Sequence, residues 1–129
     1  WLEALPLMLQ YLLVALGGAL GSVSRFAIGR ASFHWFHHDW PWATFAVNAV
    51  GSFAIGLLYV VITERSVLHA DSRYLLMVGF LGAFTTFSTF ALETVAMLEG
   101  GRWALAVAYV LATLVSCILG CGLGMMVMR

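Results

Sequence analysis

Apolar runs of twenty or more residues alternate with three short polar breaks along this chain, and the spacing predicts membrane-crossing helices at about 5–28, 41–63, 74–97 and 103–127. The hydrocarbon core of a bilayer is roughly 30 Å thick and takes about 20 apolar residues per helix, so four spans leave no room for an extramembrane domain. Residues 1–129 are therefore read as a single all-α transmembrane domain. The first apolar stretch lacks a basic leader and is too long for a signal peptide, so it is read as a mature span. In the first break, Trp35, Trp40 and Trp42 are placed as headgroup-level anchors, and Pro41 opens the second helix. The second break holds Glu64, Arg65, His69, Asp71 and Arg73. The third runs from Glu99 to Arg102 through Gly100 and Gly101, and is so short that the last two spans must be antiparallel neighbours.

Composition narrows the class further. Hydrophobic residues make up 63% of the chain and charged ones only 9%, with a mean hydropathy of +0.99, whereas about a quarter of a soluble domain is charged. There is no lysine, the arginines are scattered and net charge is zero, which excludes the basic stripe that nucleic acid requires. On a four-span topology Arg65, Arg73 and Arg129 fall on the side of the termini, and Arg25, Arg30 and Arg102 on the other. Orientation normally follows an arginine and lysine bias. A balanced tally permits insertion both ways, hence an antiparallel homodimer of oppositely inserted copies, although few charges can also balance by chance. Gly17, Gly18, Gly21, Gly51, Ser52, Gly56, Gly120 and Gly124 have the placement of helix contacts. Cys117 and Cys121 lie four apart in the last span, where they do not form a secreted disulfide framework.

Candidate chemistry concentrates in the third span. Its midpoint falls near Thr85 and Thr86, inside the run Gly82-Ala-Phe-Thr-Thr-Phe87-Ser-Thr-Phe90. Glycine and β-branched residues weaken helix continuity, and hydroxyls can replace backbone partners. Two readings compete: a break whose freed backbone groups meet an ion, or an intact helix whose hydroxyls bond back one turn. Phe87 and Phe90 share a helical face, and the positive edges of aromatic rings attract a small anion; membrane phenylalanines also serve as plain packing. Asn48 in the second span must find a partner, as an interhelical clamp or as a pore donor. Tyr109, Thr113 and Cys117 follow at i, i+4 and i+8 on the fourth span, with Ser116 adjacent.

These donors suit an anion. Glu93 lies roughly 12 Å from the span midpoint at 1.5 Å per residue, so no carboxylate occupies the membrane centre as a proton relay would. Arg25 near the end of the first span either raises anion concentration at a vestibule or snorkels to the interface. His34, His37 and His38 are read as an exposed interfacial loop rather than a metal site. With no nucleophile–base arrangement or phosphate loop, an enzyme is not expected.

Gly17-Gly-Ala-Leu-Gly21-Ser-Val-Ser-Arg25, Asn48-Ala-Val-Gly51-Ser52 and the third-span run together resemble the fluoride-channel family called Fluc or CrcB, and the resemblance covers the whole chain. It implies a dual-topology antiparallel homodimer in the cell (inner or plasma) membrane, with two pores that passively export fluoride from the cytoplasm and protect against its toxicity. It also implies a broken third helix with a structural sodium ion at the dimer centre, held by the backbone carbonyls of Gly82 and Thr85 from both subunits. The pore residues would be Asn48, Phe87, Ser88, Phe90, Tyr109 and Thr113, with Arg25 and Glu93 as vestibule candidates. Ala83 stands where some relatives have a second glycine, and either Ser116 or Cys117 could follow Thr113.

Two other functions fit four short spans. A small multidrug exporter, often also dual in topology, would need a buried carboxylate in its first span, and in the first half of that span Gln10 is the only strongly polar residue. A non-transporting assembly subunit would use the same glycine faces but has no need of the central hydroxyl run.

Overall fold

In a computed structural model describing residues 5–35 and 39–129, all the regular structure is helical. Helix α1 spans Leu7–Trp35, and α2 spans Trp42–Tyr59 before loosening into a π-helical turn, Val60–Glu64. A π-helical stretch, Tyr74–Leu81, leads into one α-helical turn, α3, Gly82–Phe84; α4 covers Phe87–Glu99 and α5 covers Trp103–Met128. Four segments are long and apolar enough to cross a membrane: Leu7–His34, Trp42–Glu64, Tyr74–Glu99 and Trp103–Met128. The molecule is a multi-pass membrane protein. Exposed Met8, Phe26, Leu111 and Ile118 supply the lipid-facing surface that such spans require.

The first helix runs past its expected end at Ile28 because the segment from Gly29 to His34 contains no proline or turn signal. Arg30 and His34 consequently ride on helix turns rather than in a loop, both exposed. His37 and His38 lie outside the described residues. At the same end of the bundle, α4 stops in a Schellman motif: the Gly101 amide donates to the Leu98 carbonyl at 3.1 Å and the Arg102 amide to that of Met97 at 2.9 Å. Gly101 takes the φ of +76° that this stop demands.

Two helix pairs form the body. In one, α1 lies against the π-helical stretch so closely that a Cβ on Gly17 would strike the Leu75 carbonyl and one on Gly21 the Phe80 carbonyl. In the other, α2 meets α5, where a Cβ on Gly56 would strike the Cys121 carbonyl and one on Gly124 the Phe53 carbonyl. Lipid tails give apolar helices no hydrophobic reason to associate, so backbone approach of this kind supplies the dispersion contacts that hold a membrane bundle together. Of the expected Gly120/Gly124 pair, Gly124 is the tight member; Gly120 has ordinary room. The C-terminus is tied down by Arg129, whose guanidinium grips both Glu64 carboxylate oxygens at 2.7 and 3.0 Å.

Two buried clusters flank mid-depth. Val47, Leu81 and Phe84 make one, and Phe90, Met97, Ala106 and Tyr109 the other, with Trp40 and Phe45 packed against it.

Candidate functional site

Between α3 and α4 the backbone is extended: Thr85 has φ −83°, ψ 157° and Thr86 φ −152°, ψ 116°. Local chemistry favours this. The Thr85 hydroxyl donates to the Leu81 carbonyl at 2.9 Å, and Thr86 becomes the N-cap of α4, its Oγ1 accepting the Thr89 amide at 3.2 Å. In a continuous α-helix the Thr86 amide would donate to Gly82 O, four residues back. Here it donates to Asn48 Oδ1 at 2.8 Å, while Asn48 Nδ2 donates to the Thr86 carbonyl at 3.0 Å. Gly51, one turn along α2, leaves space for the Thr85 methyl group, which any side chain there would strike.

A cavity of about 340 Å³ opens beside these residues, between α2, α5 and the two halves of the third span. Asn48, Gly82, Thr85, Phe87, Phe90 and Thr113 all line it, together with Ser52, Met77 and Cys117. Six of the residues expected to hold sodium or line the pore thus border one cavity. Phe87 and Phe90 have ring centroids 5.4 Å apart, Phe87 73% exposed and Phe90 only 6%. Thr113 is 5% exposed, and its hydroxyl is buried without a hydrogen-bond partner. An unpartnered buried hydroxyl costs about 1–3 kcal/mol, so Thr113 is a costly position in the wall of this cavity.

The other expected residues lie around this centre. Tyr109 is fully buried behind Phe90, centroids 5.1 Å apart, and its hydroxyl donates to Glu93 Oε1 at 3.4 Å. Ser88 is exposed on the first turn of α4, its Oγ 3.5 Å from Thr86 Oγ1. Arg25 is turned to the opposite side, where Nε donates to the Ala83 carbonyl at 3.0 Å. That contact ties α1 to α3. Arg25 also lines a second, larger cleft of about 800 Å³ with Arg30, His34, Thr44, Thr86 and Thr89.

The profile of a family described as "CrcB-like protein, Camphor Resistance (CrcB)" matches residues 12–125. The chain belongs to the CrcB family. It is 43% identical over 121 residues to the "Fluoride-specific ion channel FluC" of Magnetococcus marinus, covering 94% of this chain and 98% of that protein. The protein of the same name from Saccharophagus degradans is 44% identical over 110 residues, covering 84% and 80% of the two chains. That from Agrobacterium fabrum is 45% identical over 108 residues, covering 84% and 86%.

In this CrcB chain Thr86 and Thr44 escaped the sequence reading as individual site residues. Thr86 was part of the hydroxyl run, but nothing local says that its backbone, rather than its side chain, is what Asn48 holds. Thr44 is buried on α2 and shares the larger cleft with Arg25; lying one helical turn before Asn48, it could have been found by following that face of α2.

Proposed function

We infer that this protein is a fluoride-selective ion channel that passively exports fluoride from the cytoplasm, working as an antiparallel dual-topology homodimer with two pores in the cell membrane. The observation that carries the reading is the cavity beside Thr85 and Thr86, where an unpartnered buried hydroxyl, an amide and two phenylalanines converge in a chain whose relatives are named fluoride channels.

Bringing a bare anion to mid-membrane forfeits hydration worth tens of kcal/mol by Born-type estimates. Neutral donors replace the lost water without a fixed cation that would trap the ion, as conduction requires. Thr113 Oγ1 is free to donate, and Asn48 Nδ2 keeps a second N–H beyond the one given to Thr86. Phe87 and Phe90 offer ring edges. The N-terminus of α4 lies at the same depth, where its partial positive charge favours an anion. Ser88 and Tyr109 extend the hydroxyl track, and Arg25 and Glu93 belong to its approaches.

The break at Thr85 and Thr86 serves a second role. Gly82 O loses its helical donor to Asn48, and Thr85 O sits on extended backbone. These neutral oxygens suit a hard monovalent cation such as sodium, and Gly82 is on the exposed side of the chain, so a second copy can bring a matching pair. The ion would supply positive charge that holds the two breaks together at the dimer centre. Balanced arginines agree with insertion in both orientations.

An exporter needing a buried carboxylate in the first span is disfavoured: α1 contains no Asp or Glu among its described residues, and Gln10 is tied to its own chain, donating to the Leu5 carbonyl at 2.8 Å. Reconstitution in liposomes tests the channel reading. Fluoride should leave rapidly and chloride hardly at all; equal rates for the two halides refute it.

A further inference from the structure

The two halves of α1 are packed differently. Gly17 and Gly21 bring its first half onto the π-helical stretch, whereas a Cβ on Gly29 would meet nothing within 4 Å. Gly29 instead lines the larger cleft, of about 800 Å³, that α1 shares with α2 and α4. Phe26, Arg30 and Phe33 follow at i, i+4 and i+7 on α1 with His34 adjacent, so one helix face brings all four to that cleft. All four are exposed. Arg25 belongs to the inner end, where its Nε bond to the Ala83 carbonyl sets it beside the break at mid-depth. At 1.5 Å per residue Arg30 lies about 7.5 Å and His34 about 13.5 Å further along the helix axis, which brings the outer cleft to the edge of a hydrocarbon half-layer of about 15 Å.

We propose that the outer cleft seats an anionic phospholipid, its phosphate held by the Arg30 guanidinium and the His34 imidazole and its acyl chain laid over Gly29 and Phe26 toward the membrane core. A guanidinium fork matches two phosphate oxygens, and an imidazole N–H supplies a further donor. Charge is complementary. Among the described residues no Asp or Glu lines the cleft and Arg30 makes no ion pair, whereas Arg102 at the same end of the bundle is already paired with Asp39 at 3.3 Å. Snorkelling by itself would account for Arg30, but not for an open glycine and an exposed phenylalanine one turn deeper on the same face. Pockets for small organic ligands run to about 300–1,000 Å³, so this cleft has room for a headgroup and the start of a chain, far more than a monatomic ion fills. Basic pockets between membrane helices select acidic headgroups for the same electrostatic reason. The site goes beyond the channel reading and does not depend on it.

Native mass spectrometry of the purified protein, in detergent carrying equal amounts of phosphatidylglycerol and phosphatidylcholine, tests the proposal. The wild type should retain phosphatidylglycerol in preference to phosphatidylcholine by about fivefold or more. Arg73→Gln removes an exposed arginine from the opposite end of the bundle and should keep that preference. Arg30→Gln should abolish it. Gly29→Leu changes no charge and has open space to enter, and it should abolish the preference too, by filling the cleft. No preference in the wild type, or an unchanged one in Arg30→Gln, overturns the proposal. A preference lost in Arg30→Gln but kept in Gly29→Leu also overturns it, because that describes a charged surface without a seat. Lipid found on monomers but not on dimers does the same, since a second copy then covers the cleft, as does inorganic phosphate retained in place of lipid when added in excess. A wild type that passes no fluoride would refute the channel reading and leave this measurement untouched.

Discussion

Asn48 and Thr86 exchange two hydrogen bonds, the amide side chain of one reading the backbone N–H and C=O of the other at 2.8 and 3.0 Å. The pair does for the third span what a neighbouring strand does in a sheet, satisfying extended backbone where no water is available. Clamp and pore donor, the two roles open to Asn48 from sequence, are compatible, because Oδ1 and one N–H make the clamp and the second N–H is free.

Asn48→Asp should therefore do more damage than a lost donor. It sets a carboxylate oxygen against the Thr86 carbonyl, and leaving that buried group unpaired costs about 1–3 kcal/mol. The expected result is a lower unfolding temperature in detergent together with lost fluoride efflux.

Thr113 predicts the opposite relation between stability and transport. Thr113→Val keeps the shape and removes an unpartnered hydroxyl, so thermal stability should hold or rise. Hydrogen bonds to charged groups are worth about 1.5–3 kcal/mol, so efflux should fall by about tenfold or more. Thr113→Ser should restore it.

Phe87 and Phe90 separate in the same assay. Phe87 is 73% exposed in the single chain, so Phe87→Ile should leave folding intact and strongly impair fluoride efflux. Phe90 is packed against Tyr109, and Phe90→Ile should lower both efflux and thermal stability. An unimpaired Phe87→Ile channel would remove the aromatic rings from the path.

Alanine at the tight glycines tests the two helix pairs. Gly21→Ala and Gly124→Ala drive a methyl into the carbonyls of Phe80 and Phe53, and overpacking of this kind costs about 1–3 kcal/mol or more. Gly122→Ala meets nothing within 4 Å and should be silent. Size-exclusion profiles after mild heating would rank the three.

Orientation can be read in cells. A reporter fused to either terminus should be found on both sides of the membrane, as the even arginine count predicts. A single orientation would rule out the antiparallel dimer.

What the sequence determined by itself was whatever depends on local periodicity and composition. Four apolar runs of bilayer length required four spans, because exposed backbone cannot be left unsatisfied in lipid. Gly100-Gly101 required a turn, since Gly101 supplies the left-handed conformation that ends α4. The hydroxyl and phenylalanine run was legible as chemistry too, since so many polar groups at mid-depth need a reason. Tertiary structure decided their partners. Thr86 is held by a side chain 38 positions earlier, Arg25 by a carbonyl 58 positions later, and Thr113 by nothing in its own chain. Helix crossings set those distances through backbone contacts at Gly17, Gly21, Gly56 and Gly124. A glycine in a sequence says that close approach is allowed; only the packed bundle says which carbonyl comes to meet it.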